Sequence, residues 1–208
     1  MEDRSRDAVT VHVDPSCPFA WITSRWLAEV ERAGLIDLEL RLLSLSVVNE
    51  HRAIDAWYQG FNYHAWAPAR VMQAVDEAHG ATAARRFYEA FGQRFHVERD
   101  TGDDADRVAL AAVALHDTGL PATLIEAADD ARRDDALRAR THAAVEAVGL
   151  DVGVPLTEIG GVTSWGPVLS VIPRGDDAVE LYRAAQVIAR QRGFIRFERP
   201  RLGALEVG

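Results

Sequence analysis

The sequence predicts an α/β fold interrupted by a large all-helical insertion. Three observations carry that expectation. The chain opens as strand, helix, strand. From about residue 50 to residue 149 strand signals vanish while helical periodicity repeats. After Gly153 strand character returns and gives way to one more amphipathic helix. At 208 residues the chain can bury a full core and is most simply one domain with an inserted lobe. The α/β core is expected at about 8–49 and 150–193, with the lobe at about 50–149.

Val9-Thr10-Val11-His12-Val13 is β-branched and alternating, which marks a strand. Asp14-Pro15-Ser16 breaks it. From Cys17 onward Phe19, Ile22, Trp26 and Val30 recur at spacings of three and four and form one apolar helical stripe, with Arg25, Glu29 and Arg32 off it. Pro18 suits a first helical turn and Gly34 a helix stop. Leu38-Glu39-Leu40-Arg41-Leu42 alternates again, after a connection long enough for a parallel crossover.

Inside the block, Trp57 to Trp66 is dense in aromatics and weak in periodicity. It reads either as a joint between helices or as a lid of amphipathic side chains. Val71, Met72, Val75 and Ala78 form a stripe that stops at Gly80. Phe87, Phe91 and Phe95, with Tyr88, form an aromatic stripe after a cap at Thr82. The acidic stretch from Glu98 to Asp106 reads as a solvated loop and helix start. Val108, Ala111, Ala112 and Leu115 run to Gly119; Pro121 opens a short helix with Leu124 and Ile125; Leu137, Thr141, Val145 and Val148 run to Gly149. Beyond the block, Leu156 to Ile159, Gly160-Gly161 and Val162 to Trp165 read as a tight hairpin, because paired glycines supply the positive φ angles its turn needs. Gly166-Pro167 ends its second arm. Asp176 or Asp177 caps the last helix, through Val179, Leu181, Tyr182, Ala185 and Ile188, and Phe194-Ile195-Arg196-Phe197 reads as an edge strand or an arm.

A formal net charge of −9 argues against nucleic acid and anionic membranes as partners. No run approaches the ~18 apolar residues of a membrane span. The charged start, Met1 to Asp7, lacks a signal peptide's apolar stretch, so the cytoplasm is the expected compartment. There a lone thiol stays reduced. All basic residues are arginine, a composition that fits a GC-rich genome. One cysteine excludes an internal disulfide and any paired-cysteine zinc or dithiol site. The seven histidines show no metal spacing, so no metal is expected. The serines lack a nucleophile-elbow context, and Gly160-Gly161 is a turn rather than a phosphate loop.

Cys17 stands at a strand-to-helix junction. Unpaired N–H groups and the positive end of the helix dipole favour thiolate there, which predicts a pKa below the ~8.5 of a free cysteine. The alternative is a buried structural cysteine. The element order is that of a thioredoxin fold with an insertion between its halves. In that order Pro155, at the start of the returning strand, falls where a cis-proline packs beside the nucleophilic cysteine.

Asp14-Pro15-Ser16-Cys17-Pro18, followed by Trp21-Ile22-Thr23-Ser24-Arg25-Trp26, resembles the active-site segment of the DsbA-like mycothiol-dependent nitroreductases of actinobacteria. Leu43-Ser44-Leu45, Asn49-Glu50-His51-Arg52, Val152-Gly153-Val154-Pro155 and Gly166 through Gly175 resemble further segments of that family, in the right order along nearly the whole chain. The resemblance implies a thioredoxin fold with a helical insert, a thiol nucleophile, a low-molecular-weight thiol (mycothiol or glutathione-like) as reductant, and a homodimer. It places Cys17 as the catalytic residue and Pro18, Phe19, Trp21, Asn49, Arg52, Trp66, Val154 and Pro155 around the bound thiol and substrate.

Two departures matter. The family's second cysteine is replaced by Ala20, after Phe19 in place of tryptophan, and Val154 stands where threonine is common. Without a resolving thiol, dithiol cycling is excluded and a monothiol route remains, in which a second small thiol releases the Cys17 adduct. A transferase or isomerase resembling kappa-class glutathione transferases would instead bind the thiol without cycling it. A Cys17 pKa at or above that of a free thiol would point to a binding protein without activity.

Overall fold

The computed structural model describes residues 6–98, 106–146, 148–149, 152–196, 198–201 and 203–208. Strand β1 (Asp7–Val13) is central and pairs in parallel with β2 (Ile36–Leu42), Val9 opposite Leu38 and Val13 opposite Leu42. Helix α1 (Pro18–Arg32) makes the crossover between them. On its other side β1 pairs antiparallel with β3 (Leu156–Ile159), which pairs antiparallel with β4 (Val162–Trp165), giving the order β2-β1-β3-β4. The expected thioredoxin-type order is therefore present. In β2 the alternation is complete: Ile36, Leu38, Leu40 and Leu42 are buried and Asp37, Glu39 and Arg41 exposed. Period-two patterning fixes this face, since a one-residue slip would expose every leucine. Trp26 on α1, wholly buried, donates its indole N–H to the Ala178 carbonyl (2.9 Å), which pins α1 to α7 (Gly175–Ala189).

Among the described residues every regular element between β2 and β3 is helical: α2 (Leu45–Val48), α3 (Ala56–His79), α4 (Ala81–Gly92), a π-helical segment Gln93–Glu98, α5 (Arg107–Asp117), 3₁₀ turns at Ala122–Asp129 and Ala131–Arg133, and α6 (Asp134–Glu146). Phe87, Phe91 and Phe95 stack in a ladder with centroids 6.2 and 5.5 Å apart. No helix among the described residues is long and apolar enough to cross a membrane.

Several expectations are corrected. Trp57 to Trp66 is not a joint but the first half of the 24-residue α3, started by Asp55, whose carboxylate accepts from the Tyr58 N–H. Its aromatics point to different sides, Trp57 and Tyr63 outward, which hides the period. Thr82 does not cap α4; Gly80, at φ 80°, turns the chain between α3 and α4 and places Thr82 inside the first turn. Asp176 and Asp177 lie inside the first turn of α7 and Arg174 precedes it, so they act on the dipole rather than as a cap. The Pro121 segment winds as 3₁₀ rather than α. Residues Phe194 to Arg196 form no strand, and Phe197 lies outside the described residues. Of the Glu98–Asp106 stretch, 99–105 lie outside them too, and Asp106 caps α5 by accepting from the N–H groups of Val108 and Ala109.

Candidate active site

The C-terminal ends of β1 and β2 and the start of β3 converge at one end of the sheet. Leu43 donates its N–H to the Val13 carbonyl (3.0 Å), so the loop after β2 lies against the loop after β1. The β1–β3 pairing, His12 opposite Leu156, brings Pro155 level with the Val13–Asp14 step. The Val154–Pro155 bond is cis, as is Gly166–Pro167 after β4, which no sequence signal marked. The loop from Asp14 to Cys17 is thus flanked by the α2 start on one side and the cis-proline on the other.

Asp14 holds that loop. Its carboxylate is wholly buried and accepts from the N–H groups of Ser16 and Leu45, both at 2.8 Å, which ties the α1 approach to the first turn of α2. Burial pushes its pKa up to about 6, opposed by those two N–H groups and by the positive charge of Arg107. Cys17 is the residue before α1, extended at φ −87° and ψ 114°, and no side chain caps the helix. The unpaired N–H groups of Ala20 and Phe19 favour its thiolate as expected, but burial outweighs them and Asp14 adds a repelling charge. The thiol is 5% exposed and its pKa is pushed up to about 12. The low pKa expected from the helix start is therefore corrected: desolvation of the anion exceeds the dipole's favour.

The other named residues differ in burial and in partners. Val154 and Pro155 are buried beside the loop, and no hydrogen bond joins the Val154 N–H or C=O to another described residue. Pro18 and Phe19 are half-buried at the helix start. Asn49 and Arg52 belong to one polar network. Arg52 donates to Asn49 Oδ1 (3.1 Å), and Asn49 Nδ2 donates to Asn62 Oδ1 (3.2 Å) and the Tyr58 hydroxyl (3.4 Å). Trp21 is buried and spends its groups internally. Its N–H donates to the Val207 carbonyl (2.9 Å), its faces meet Arg25 and His96, and it lies so close over Gly92 that no side chain fits there. Trp66 packs against the guanidinium groups of Arg70 (5.2 Å) and Arg138 (5.5 Å).

Sequence reasoning took in Tyr58 and Phe61 only as part of a possible lid at 57–66, and passed over Phe95, His96 and Arg107 as site residues. Tyr58 lies within the electrostatic reach of Cys17 and its ring stacks on Phe61 (5.9 Å). His96, in the π-helical segment, donates from Nε2 to the Pro15 carbonyl (2.9 Å) and stacks on Trp21 (5.6 Å). The aromatic density at 57–66 was the available signal for Tyr58 and Phe61; Arg107 is one of 23 arginines and had none. Among the described residues no three metal-binding side chains come together.

Residues 16–199 match the family model described as Rv2466c-like, mycothiol-dependent nitroreductase Rv2466c. The chain is 30% identical over 199 residues to the uncharacterized protein Rv2286c of Mycobacterium tuberculosis, covering 93% of this chain and 82% of that one. Among solved structures it is similar to a 2-hydroxychromene-2-carboxylate isomerase (TM-score 0.57, 13% identity, 88% of this chain and 95% of that one). It is also similar to Chlamydia trachomatis DsbA (TM-score 0.56, 11% identity, 91% of each chain). At these identities the two structural likenesses show the fold.

Proposed function

The chain belongs to the Rv2466c-like family of mycothiol-dependent nitroreductases, and from that premise we propose that it is a thiol-dependent oxidoreductase that acts through Cys17. Its substrates would be mixed disulfides or small electrophiles such as nitro compounds, and a low-molecular-weight thiol supplies the reducing sulfur. The observation that carries this reading is the setting of Cys17. The chain's one thiol stands at an uncapped helix start, with the N–H groups of Phe19 and Ala20 favouring its anion. Thiolate is the reactive form, so the reaction requires the burial of Cys17 to be relieved. The surroundings suit a small polar thiol. Val154 offers unspent backbone groups, as a strand-like partner for a thiol compound, and the Asn49–Arg52–Tyr58 network supplies a polar wall within reach of Cys17.

A second reading is favoured by the pKa of about 12. A thiol that stays protonated at neutral pH is a hydrogen-bond donor toward a bound anionic sulfur. Cys17 would then serve a transferase or isomerase, or a binding protein, without being oxidised. Mass spectrometry separates the two. Protein incubated with mycothiol disulfide and, in parallel, glutathione disulfide should gain a reducible adduct on Cys17, faster with one of them. Only non-covalent binding, together with a Cys17→Ser variant of unchanged turnover, would sink the oxidoreductase reading and support the second.

A further inference from the structure

Arg107, at the start of α5, is 8% exposed. One of its nitrogens, Nη1, donates to the Phe61 carbonyl (2.8 Å). Among the described residues no carboxylate stands at ion-pair distance from it, whereas Arg70, a half-buried arginine of the lobe, holds Asp134 by two bonds of 2.7 and 2.9 Å. The nearest charge, Asp14, has spent an oxygen on each of Ser16 and Leu45. Arg107 Nε and Nη2 make no hydrogen bond to a described residue, and they are not sealed from solvent as the partnerless Nε atoms of Arg25 and Arg133 are. The guanidinium lies over the Phe61 ring (4.3 Å) and the Phe95 ring (5.1 Å). Phe61 in turn stacks on Tyr58 and Trp57, and Tyr58 feels the charge of Cys17.

A buried cation without an anion is costly unless something completes it. The fork of a guanidinium matches a planar group with two acceptor oxygens, and stacked rings favour an aromatic neighbour. We propose that Arg107 holds the carboxylate or nitro oxygens of an aromatic substrate presented to Cys17. This rests on the reading of Cys17 as the reacting group and adds to it the substrate class: a small aromatic ring carrying a planar two-oxygen acceptor.

Calorimetric titration of the full chain carrying Cys17→Ser tests binding without chemistry. Benzoate and nitrobenzene should each bind about tenfold or more tightly than benzyl alcohol, the size of one charge-assisted pair. Adding Arg107→Gln should erase both preferences. Adding Arg107→Lys, which keeps the charge but not the fork, should preserve the preference for benzoate and lose that for nitrobenzene. Equal binding of the three ligands, or preferences unchanged by Arg107→Gln, overturns the proposal. Should Arg107→Gln not fold, a nitrobenzene preference retained in Arg107→Lys overturns it and a lost one supports it. A disulfide adduct on wild-type Cys17 together with no ligand preference sinks the Arg107 assignment alone, and a preference without any adduct sinks the redox reading alone.

Discussion

Helix α3 carries two arginine–aromatic clusters, one around Phe61 and one around Trp66, and they are built differently. Trp66 lies under Arg70 and Arg138, and each arginine is closed by a carboxylate: Arg70 on Asp134, Arg138 on Glu50 at 2.7 and 2.9 Å. There the Arg138 charge holds Glu50 below the ordinary carboxylate range. In the other cluster Phe61 and Phe95 flank Arg107, which no described carboxylate closes. Burial dominates there: Asp14 is pushed up to about 6, Cys17 up to about 12 and Arg107 down to about 10, each toward its neutral form. The Trp66 cluster is closed by carboxylates, whereas among the described residues the Arg107 cluster, near Asp14 and the one thiol, is not.

The largest effect expected from this contrast is on the reactivity of Cys17. A shift of the thiol from 9.0 to about 12 lowers the thiolate fraction at neutral pH by roughly a thousandfold. Native protein should therefore react with iodoacetamide at pH 7 about three orders of magnitude more slowly than the same chain unfolded in guanidinium chloride. Equal rates would show that burial does not hold the thiol protonated.

The next effect belongs to the Trp66 cluster. Asp134→Ala strands Arg70, whose side chain is only 15% exposed. The cost should fall at the lower end of the roughly 3–5 kcal/mol seen when one partner of a buried pair is removed, since the Ala128 carbonyl still accepts from Arg70. Denaturant unfolding measures it. A loss well under 1 kcal/mol would mean that the closed cluster contributes no more than a surface pair.

How much of this was legible in the sequence follows from range. β2 could be read because its alternation is local, and the hairpin because Gly160 and Gly161 both take positive φ (61° and 76°), as a two-residue turn demands. The Cys17 helix start was also legible, and its N–H groups act in the expected direction. Burial of the thiol was not legible. It is a property of packing, and sequence distance hides what covers the loop: His96, 81 residues from Pro15, grips that loop, and Val207, 186 residues from Trp21, caps the indole. The π-helical segment that turns Phe95 and His96 inward leaves no periodic trace either.

The smallest effect is a pH dependence that cancels in the wild type. His12 and Asp14 sit two residues apart at the end of β1, and burial moves both toward neutrality. His12 is lowered from 6.5 to about 4, with Arg41 helping and Glu39 and a bond to Leu156 opposing; Asp14 is raised from 3.8 to about 6. Between about pH 4 and 6 the unfolded chain binds the His12 proton that the native state has lost, so stability rises with pH. In the same window the native state keeps the Asp14 proton that the unfolded chain has lost, so stability falls with pH. Each slope is about 1.4 kcal/mol per pH unit at most, and the two oppose. The wild type should therefore show almost no net slope from this pair. Asp14→Asn, less stable overall because an amide offers only one acceptor oxygen to the N–H groups of Ser16 and Leu45, should gain stability relative to the wild type steadily as pH rises from 4 to 6. Urea midpoints across that range read the difference. Parallel curves for the two proteins would mean that Asp14 is ionised throughout and that its surroundings are no less matched in charge than the Trp66 cluster.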